Sequence, residues 1–238
     1  MCILFIAYHK HPKHPLIVLA NRDEFYDRPT AASARWADHP HVTAGRDLVS
    51  GGTWLGIADG GRFAAVTNFR DPDRPPGLIS RGQLVADFLI AEEPAGRYTH
   101  RIAREAGNYS GFNLVIGDTA DLYYFSNASG DVPRRLEAGV YGLSNHLLGT
   151  PWPKLSTGLA AFEQLISGDE ISRGAAFSLL ADENLAADES LPDTGIGIEK
   201  ERLLSSIFIR SPIYGTRSST MVLADKNWNL ELEERVFA

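Results

Sequence analysis

Sulfur is nearly absent from this chain: its 238 residues include one cysteine, Cys2, and two methionines. A lone cysteine cannot close an internal disulfide, so a disulfide-stapled scaffold is excluded and the reducing cytosol is the natural compartment. Basic charge is also in short supply, with 23 Lys and Arg against 30 Asp and Glu and a net charge of −7. That balance speaks against a nucleic-acid partner, which needs a clustered basic face, and against a polybasic membrane patch. Long apolar runs are missing too. The N-terminal run is too short for a membrane span, and it lacks the basic flank and small-residue cleavage site of a signal peptide. There is no repeat, heptad or low-complexity tract. The length suits a single domain over 1–238, large enough to bury a core.

What is present is organised around the first twenty-four residues. Cys2 to Tyr8 and Leu16 to Glu24 are apolar runs flanking a polar connector, His9 to Pro15. Short runs rich in Ile, Val, Leu and Phe, bounded by turn residues, predict two antiparallel β-strands. If Tyr8 faces Leu16 across the turn, opposed positions sum to 24, so Cys2 faces Arg22 and Asp23 lies just beyond. Both strands are apolar on both parities, which implies a sheet covered on both faces. Removal of Met1 is expected because Cys is small, and it would make Cys2 the first residue.

Further along, Asp27-Arg28-Pro29 opens a loop, and Gly51-Gly52 is a turn before a strand containing Trp54. Phe63 to Asn68 completes a second hairpin. Asp71 to Gly77 is a surface loop. Ser80, with Gln83 three residues on, predicts a helix start, and Leu84, Val85, Phe88 and Leu89 form its apolar stripe. Tyr98–Ala106 is a second helix. Phe112–Gly117, Leu122–Phe125 and Gly139 onward are strands. Lys154–Ile166 and Gly174–Leu180 are amphipathic helices. Ile207–Ile209, Ser218–Ala224 and Trp228–Phe237 are closing strands. Strands grouped with strands and helices with helices indicate an α+β fold. Two face-to-face sheets, each covered by helices, account for the doubly apolar strands.

The chemistry this supports is nucleophilic. An N-terminal cysteine can attack an acyl carbon with its own α-amino group as base. That amine has an ordinary pKa near 7.7–8.0 and is substantially basic at cellular pH. Arg22 is the cation that would favour a thiolate, and Asp23 would orient it. Asn68 and Asn145, both at strand ends, are candidate oxyanion donors. Arg217 is a candidate to position the nucleophile or a substrate carboxylate, and Trp54 and Asn21 are candidate substrate-binding residues. No metal site is expected: His9, His11 and His14, and His39 and His41, fall in solvated turns. Asp193-Thr194-Gly195 lacks the second carboxylate of an aspartic protease, and Gly195-Ile196-Gly197 lacks the rest of a dinucleotide fingerprint.

The string Ala20-Asn21-Arg22-Asp23-Glu24 at this distance from Met1-Cys2 resembles the NRDE family, that of the transport and Golgi organisation protein 2. Gly51-Gly52-Thr53-Trp54-Leu55-Gly56, Val66-Thr67-Asn68, Leu143-Ser144-Asn145, Leu191 to Gly195 and Gly215 to Thr220 carry the resemblance along the whole chain. That family in turn looks like N-terminal-nucleophile hydrolases of the choloylglycine hydrolase and penicillin V acylase kind. The resemblance implies a four-layer αββα sandwich, Cys2 as nucleophile, and roles for Arg22, Asp23, Asn68, Asn145 and Arg217. Arg22 and Asp23 are adjacent here, closer than in those hydrolases. It implies hydrolysis of a carbon–nitrogen bond in a small acyl substrate without a cofactor. The alternative it raises is a carrier for haem or another apolar ligand, in which a thiolate or histidine would ligate the iron.

Overall fold

In the computed structural model, which describes residues 2–238, the chain forms two antiparallel sheets. The expected removal of Met1 lies outside the described residues. Strands β1 (Cys2–Tyr8), β2 (Leu16–Phe25), β10 (Gly139–Leu143), β11 (Tyr214–Ala224) and β12 (Leu230–Val236) make the smaller sheet, in the order β10-β1-β2-β11-β12. The larger sheet runs β3 (Thr30–Arg35), β4 (Val42–Asp47), β5 (Leu55–Ala58), β6 (Arg62–Asn68), β7 (Phe112–Gly117), β8 (Leu122–Ser126) and β9 (Arg134–Leu136), in sequence order. Helices α1 (Arg81–Ile90) and α2 (Ala95–Glu105) belong to one outer layer, and α3 (Pro153–Ile166) and α4 (Arg173–Leu180) to the other. A short helix, α5 (Ile198–Leu203), lies between α4 and β11. None of the helices among the described residues is long and apolar enough to cross a membrane.

The layers follow from strand parity. Leu4, Ile6, Tyr8, Leu16 and Val18 point into a core shared by the two sheets, with Leu55, Phe63 and Val115 from the opposite sheet. Ile3, Phe5, Ala7, Ile17 and Leu19 point the other way, onto Leu155, Phe162 and Phe177 of α3 and α4. Successive side chains of a strand face opposite sides, so one apolar strand serves two cores. A third core lies between the larger sheet and α1 and α2, where Leu84, Val85, Phe88 and Leu89 are all buried. The result is an αββα sandwich, as the doubly apolar strands required. Full burial of each large apolar side chain, such as Phe5 against Phe162, is worth about 1.5–3 kcal/mol.

The first hairpin has the expected register, from Tyr8 opposite Leu16 to Cys2 opposite Arg22. Other local expectations change. The segment read as a loop after Asp27 forms β3 and β4, although Thr-Ala-Ala-Ser-Ala-Arg has little β character; β3 is an edge strand, where half-exposed small residues are tolerated. Trp54 lies just before β5 rather than in it. Ile207–Ile209 is not a strand. Its backbone is held instead by bonds from Phe208 N–H to the Asp182 carbonyl and from Ile209 N–H to Thr216 Oγ1. Ser80 is at the N-cap of α1, but its side chain makes no capping bond, and Gln83 Nε2 donates to Asp87 Oδ1 instead. His11 and His14 stack in the connector; His11 Nε2–H donates to the Gly168 carbonyl and His14 Nδ1–H to that of Ala224.

Candidate active site

Cys2 shares the parity of Leu4 and Ile6, so its thiol turns toward the space between the sheets, and its cross-strand partner Arg22 shares that face. At this end of the sandwich the apolar filling stops and a cleft of about 370 Å³ opens. Cys2, Arg22, Asp23, Trp54 and Asn68 line it together, five of the eight residues singled out from the sequence. Arg28, Asp47, Thr53 and the segment from Gly77 to Gly82 complete the walls.

The polar groups here are largely committed to one another. Arg28 donates to Asp47 Oδ2 through Nε at 2.9 Å and a terminal nitrogen at 2.7 Å. Asp47 Oδ1 also accepts the backbone N–H groups of Val49 and Ser50. Buried Asp23 accepts from Thr216 Oγ1 at 2.7 Å. Arg22 differs. It is 94% buried, its guanidinium carbon lies 4.1 Å from the centre of the Trp54 ring, and it has no hydrogen bond or ion pair among the described residues. The cation–π stack replaces some of the hydration lost on burial. Burial pulls the Arg22 pKa down, and the neighbouring Cys2 and Glu24 work against that. The guanidinium nevertheless stays charged, because arginine does not lose its proton in proteins.

The Cys2 thiol is pushed up, first by burial and also by the charge of Asp23, while Arg22 pulls it back. The resting group at neutral pH is therefore a thiol, which needs a base to become a nucleophile. Burial likewise raises Asp23, opposed by Lys154 and by the bond from Thr216.

Three predicted residues are placed elsewhere. Asn145 is fully buried behind the cleft: its Nδ2 donates to the Asn68 carbonyl at 3.0 Å, and its Oδ1 accepts from Ser144 Oγ. It fixes the backbone of Asn68, whose own side-chain amide lines the cleft and makes no hydrogen bond among the described residues. Arg217 occupies the β-bulge of β11 and donates to the carbonyls of Phe25, Arg28 and Ala238, away from the cleft. Asn21, expected at the substrate, has the opposite parity to Arg22. Its Nδ2 donates to the Leu180 and Ile207 carbonyls, and its Oδ1 accepts from Ser219, so it fastens β2 to the helical layer.

Sequence reasoning missed Arg81, whose side chain reaches the cleft wall from the first turn of α1 and donates to the Gly111 carbonyl. The helix start at Ser80 was the available signal. It also missed Lys154, buried at the start of α3, where Nζ donates to the Leu204 carbonyl and burial lowers its pKa to about 8. Nothing in the surrounding sequence marks Lys154 as buried.

This two-sheet core between helical layers is the fold of N-terminal-nucleophile hydrolases. Penicillin V acylase from Agrobacterium tumefaciens superposes with a TM-score of 0.52 at 13% identity, covering 94% of this chain and 83% of that one. The Caenorhabditis elegans N-acylethanolamine-hydrolyzing acid amidase ortholog gives 0.53 at 11% identity over the full length of both chains. These likenesses fix the fold alone. The family is settled by sequence: the model for Transport and Golgi organisation 2 matches residues 1–238, and the chain belongs to that family. The Transport and Golgi organization protein 2 homolog of Bos taurus is 38% identical, over 99% of this chain and 92% of its own length.

Proposed function

We propose that this chain is an N-terminal-cysteine amidohydrolase that cleaves a non-peptide carbon–nitrogen bond in a small acyl substrate. The observation that carries this reading is the facing of the Cys2 thiol and the Arg22 guanidinium in one cleft, which Asn68 of the other sheet also lines. The fold neighbours with this architecture, an acylase and an amidase by their descriptions, favour the same reaction class.

The chemistry requires Met1 to be removed, leaving Cys2 with a free α-amine. The thiol proton passes to that amine as sulfur bonds to the acyl carbon, and the carbonyl π-electrons move onto oxygen. The Asn68 side-chain N–H stabilises this oxyanion, with Asn145 holding Asn68 in place. Collapse breaks the carbon–nitrogen bond and the ammonium returns its proton to the leaving amine. Water, deprotonated by the same amine, then attacks the thioester, the carbon–sulfur bond breaks, and the acid and the thiol are released. Deleting one oxyanion donor in such a site costs about 10²–10³ in rate. We read the chain as one cytosolic domain. A haem carrier would need a predominantly apolar chamber, and the charged lining of this cleft does not favour one.

The test has two parts. Intact mass spectrometry of the purified protein must give the mass without Met1. Incubation with a panel of acyl amides and a thiol-directed acylating probe must then label Cys2 and release amine. Labelling no greater than in denatured protein, or a retained Met1 in material that turns substrate over, overturns the reading.

A further inference from the structure

Cys2 and Asn68 belong to different sheets, so no strand ladder fixes the distance between them. The apolar filling that the sheets share is non-directional and tolerates sliding. At this end of the sandwich a buried polar clasp takes over. Just past β10 of the smaller sheet, three successive carbonyls are captured by donors on or just beyond strands of the larger sheet. Thr67 Oγ1 donates to the Ser144 carbonyl at 2.7 Å, the Arg70 N–H to that of Asn145 at 2.7 Å, and Asn113 Nδ2 to that of His146 at 3.0 Å. From the same segment, Ser144 Oγ donates to the Cys2 carbonyl at 3.2 Å, and Asn145 Nδ2 donates to the Asn68 carbonyl at 3.0 Å. Three residues therefore hold the backbone of the nucleophile on one side and that of the oxyanion residue on the other.

Asn113 anchors the clasp. It lies directly opposite Thr67 across β6 and β7, on the face that looks toward the other sheet, as the parity of Phe63, Ala65 and Val115 requires. Its Nδ2 also donates to Thr67 Oγ1 at 3.1 Å, and its Oδ1 accepts from Tyr124 Oη at 2.8 Å; that oxygen accepts the Leu148 N–H in turn. Thr67, Asn113, Ser144 and Asn145 are all buried. The carbonyls can only accept, so Thr67 must donate to Ser144 and take its own bond from the Asn113 amide, which leaves one arrangement of the chain. A satisfied buried network of this kind is rigid and specifies a single packing. We infer that Thr67 and Asn113 are positioning residues of the proposed reaction: they hold Asn68 against Cys2 without lining the cleft themselves. The inference rests on the hydrolytic reading above and adds to it the groups that set the spacing between the sheets.

The experiment compares two reactions at one sulfur. With p-nitrophenyl octanoate, sulfur bonds to the acyl carbon through an oxyanion and p-nitrophenolate leaves. With iodoacetamide, sulfur displaces iodide and no oxyanion forms. Thr67→Val keeps the shape of the side chain and removes its hydroxyl. Its acylation is expected to slow about a hundredfold, the cost of a misplacement of about 1 Å, while its alkylation is unchanged. Thr67→Ser keeps the hydroxyl and restores most of the acylation rate, and Asn113→Leu behaves as Thr67→Val. Tyr124→Phe keeps its ring and frees Asn113 Oδ1, so it shows a smaller loss of acylation alone and serves as the variant should Thr67→Val not fold. Both rates falling together, acylation at the parental rate, or no rescue by Thr67→Ser overturns the positioning role. Hydrolysis of N-octanoylethanolamine by the unsubstituted protein tests the reading beneath it. Selective loss of acylation in Thr67→Val without amide turnover by the parent upholds the positioning role and sinks the hydrolytic reading. Amide turnover by the parent with undiminished acylation of Thr67→Val does the reverse. A parental Cys2 acylated no faster than in denatured protein overturns both.

Discussion

Cys2 and Arg22 are directly opposed on β1 and β2, and both turn toward the cleft between the sheets. The guanidinium lowers the cost of a negative charge on sulfur, against the larger effect of burial. Arg22→Gln is therefore expected to raise the thiol pKa further. The check is the pH dependence of Cys2 alkylation by iodoacetamide, whose midpoint moves upward in the variant. An unchanged midpoint means that the two groups do not communicate.

Gly45 controls the stack from a distance. A Cβ at this position would come within 2.2 Å of the Trp54 ring, so Gly45→Ala must push the indole and with it Arg22. Overpacking of this kind costs about 1–3 kcal/mol. Urea unfolding should register that loss. In Gly107→Ala the new methyl group meets nothing within 4 Å, and the change should be neutral or slightly stabilising.

Asn21→Ala leaves the Leu180 and Ile207 carbonyls without their amide donor and the Ser219 hydroxyl without its acceptor. Unsatisfied buried groups cost about 1–3 kcal/mol each before relaxation, so a loss of about 2–4 kcal/mol is expected. Thermal unfolding measures it. A stability within error of the parent would return Asn21 to the list of ligand-binding candidates.

Lys154 has a native pKa of about 8, below the 10.5 of an ordinary lysine. Between those two values the unfolded chain binds more protons than the folded one, so this residue makes stability rise with pH across the window. Below about pH 8 the buried ammonium carries its full cost, on the order of 3 kcal/mol. Lys154→Met should remove that component, leaving a flatter unfolding free energy from pH 8 to 10 than in the parent. Parallel denaturation series at fixed ionic strength provide the comparison.

Much of this architecture could be read before the structure was known. Residues apolar on both parities in β1 and β2 required layers on both sides, and a seven-residue connector fixed the pairing of Cys2 with Arg22. The same alternation carried an unread signal: Asn21 and Arg22 face opposite sides of β2, so with Arg22 opposite Cys2 the Asn21 amide turns to the helical layer. Thr30–Arg35 was illegible because its strand character comes from pairing with β4 and not from side-chain pattern. Ile207–Ile209 had the composition of a strand but not the partners. Arg217 sits at the bulge between Thr216 and Ser218, a local irregularity that no spacing rule anticipates. Lys154 was hidden for a different reason, since its burial depends on where the Leu204 carbonyl lies, fifty positions away.

The alternation along β2 also limits how this protein can change. Deleting one residue between Leu16 and Asn21 would carry the Arg22 guanidinium into the place of Asn21 at the carbonyls of the helical layer and bring the Asp23 carboxylate to the sulfur, and inserting one would bring the Asn21 amide there instead. Both the cleft and the docking of α4 would fail together. Length variation among descendants should therefore be confined to the His9–Pro15 turn and absent from the strand itself.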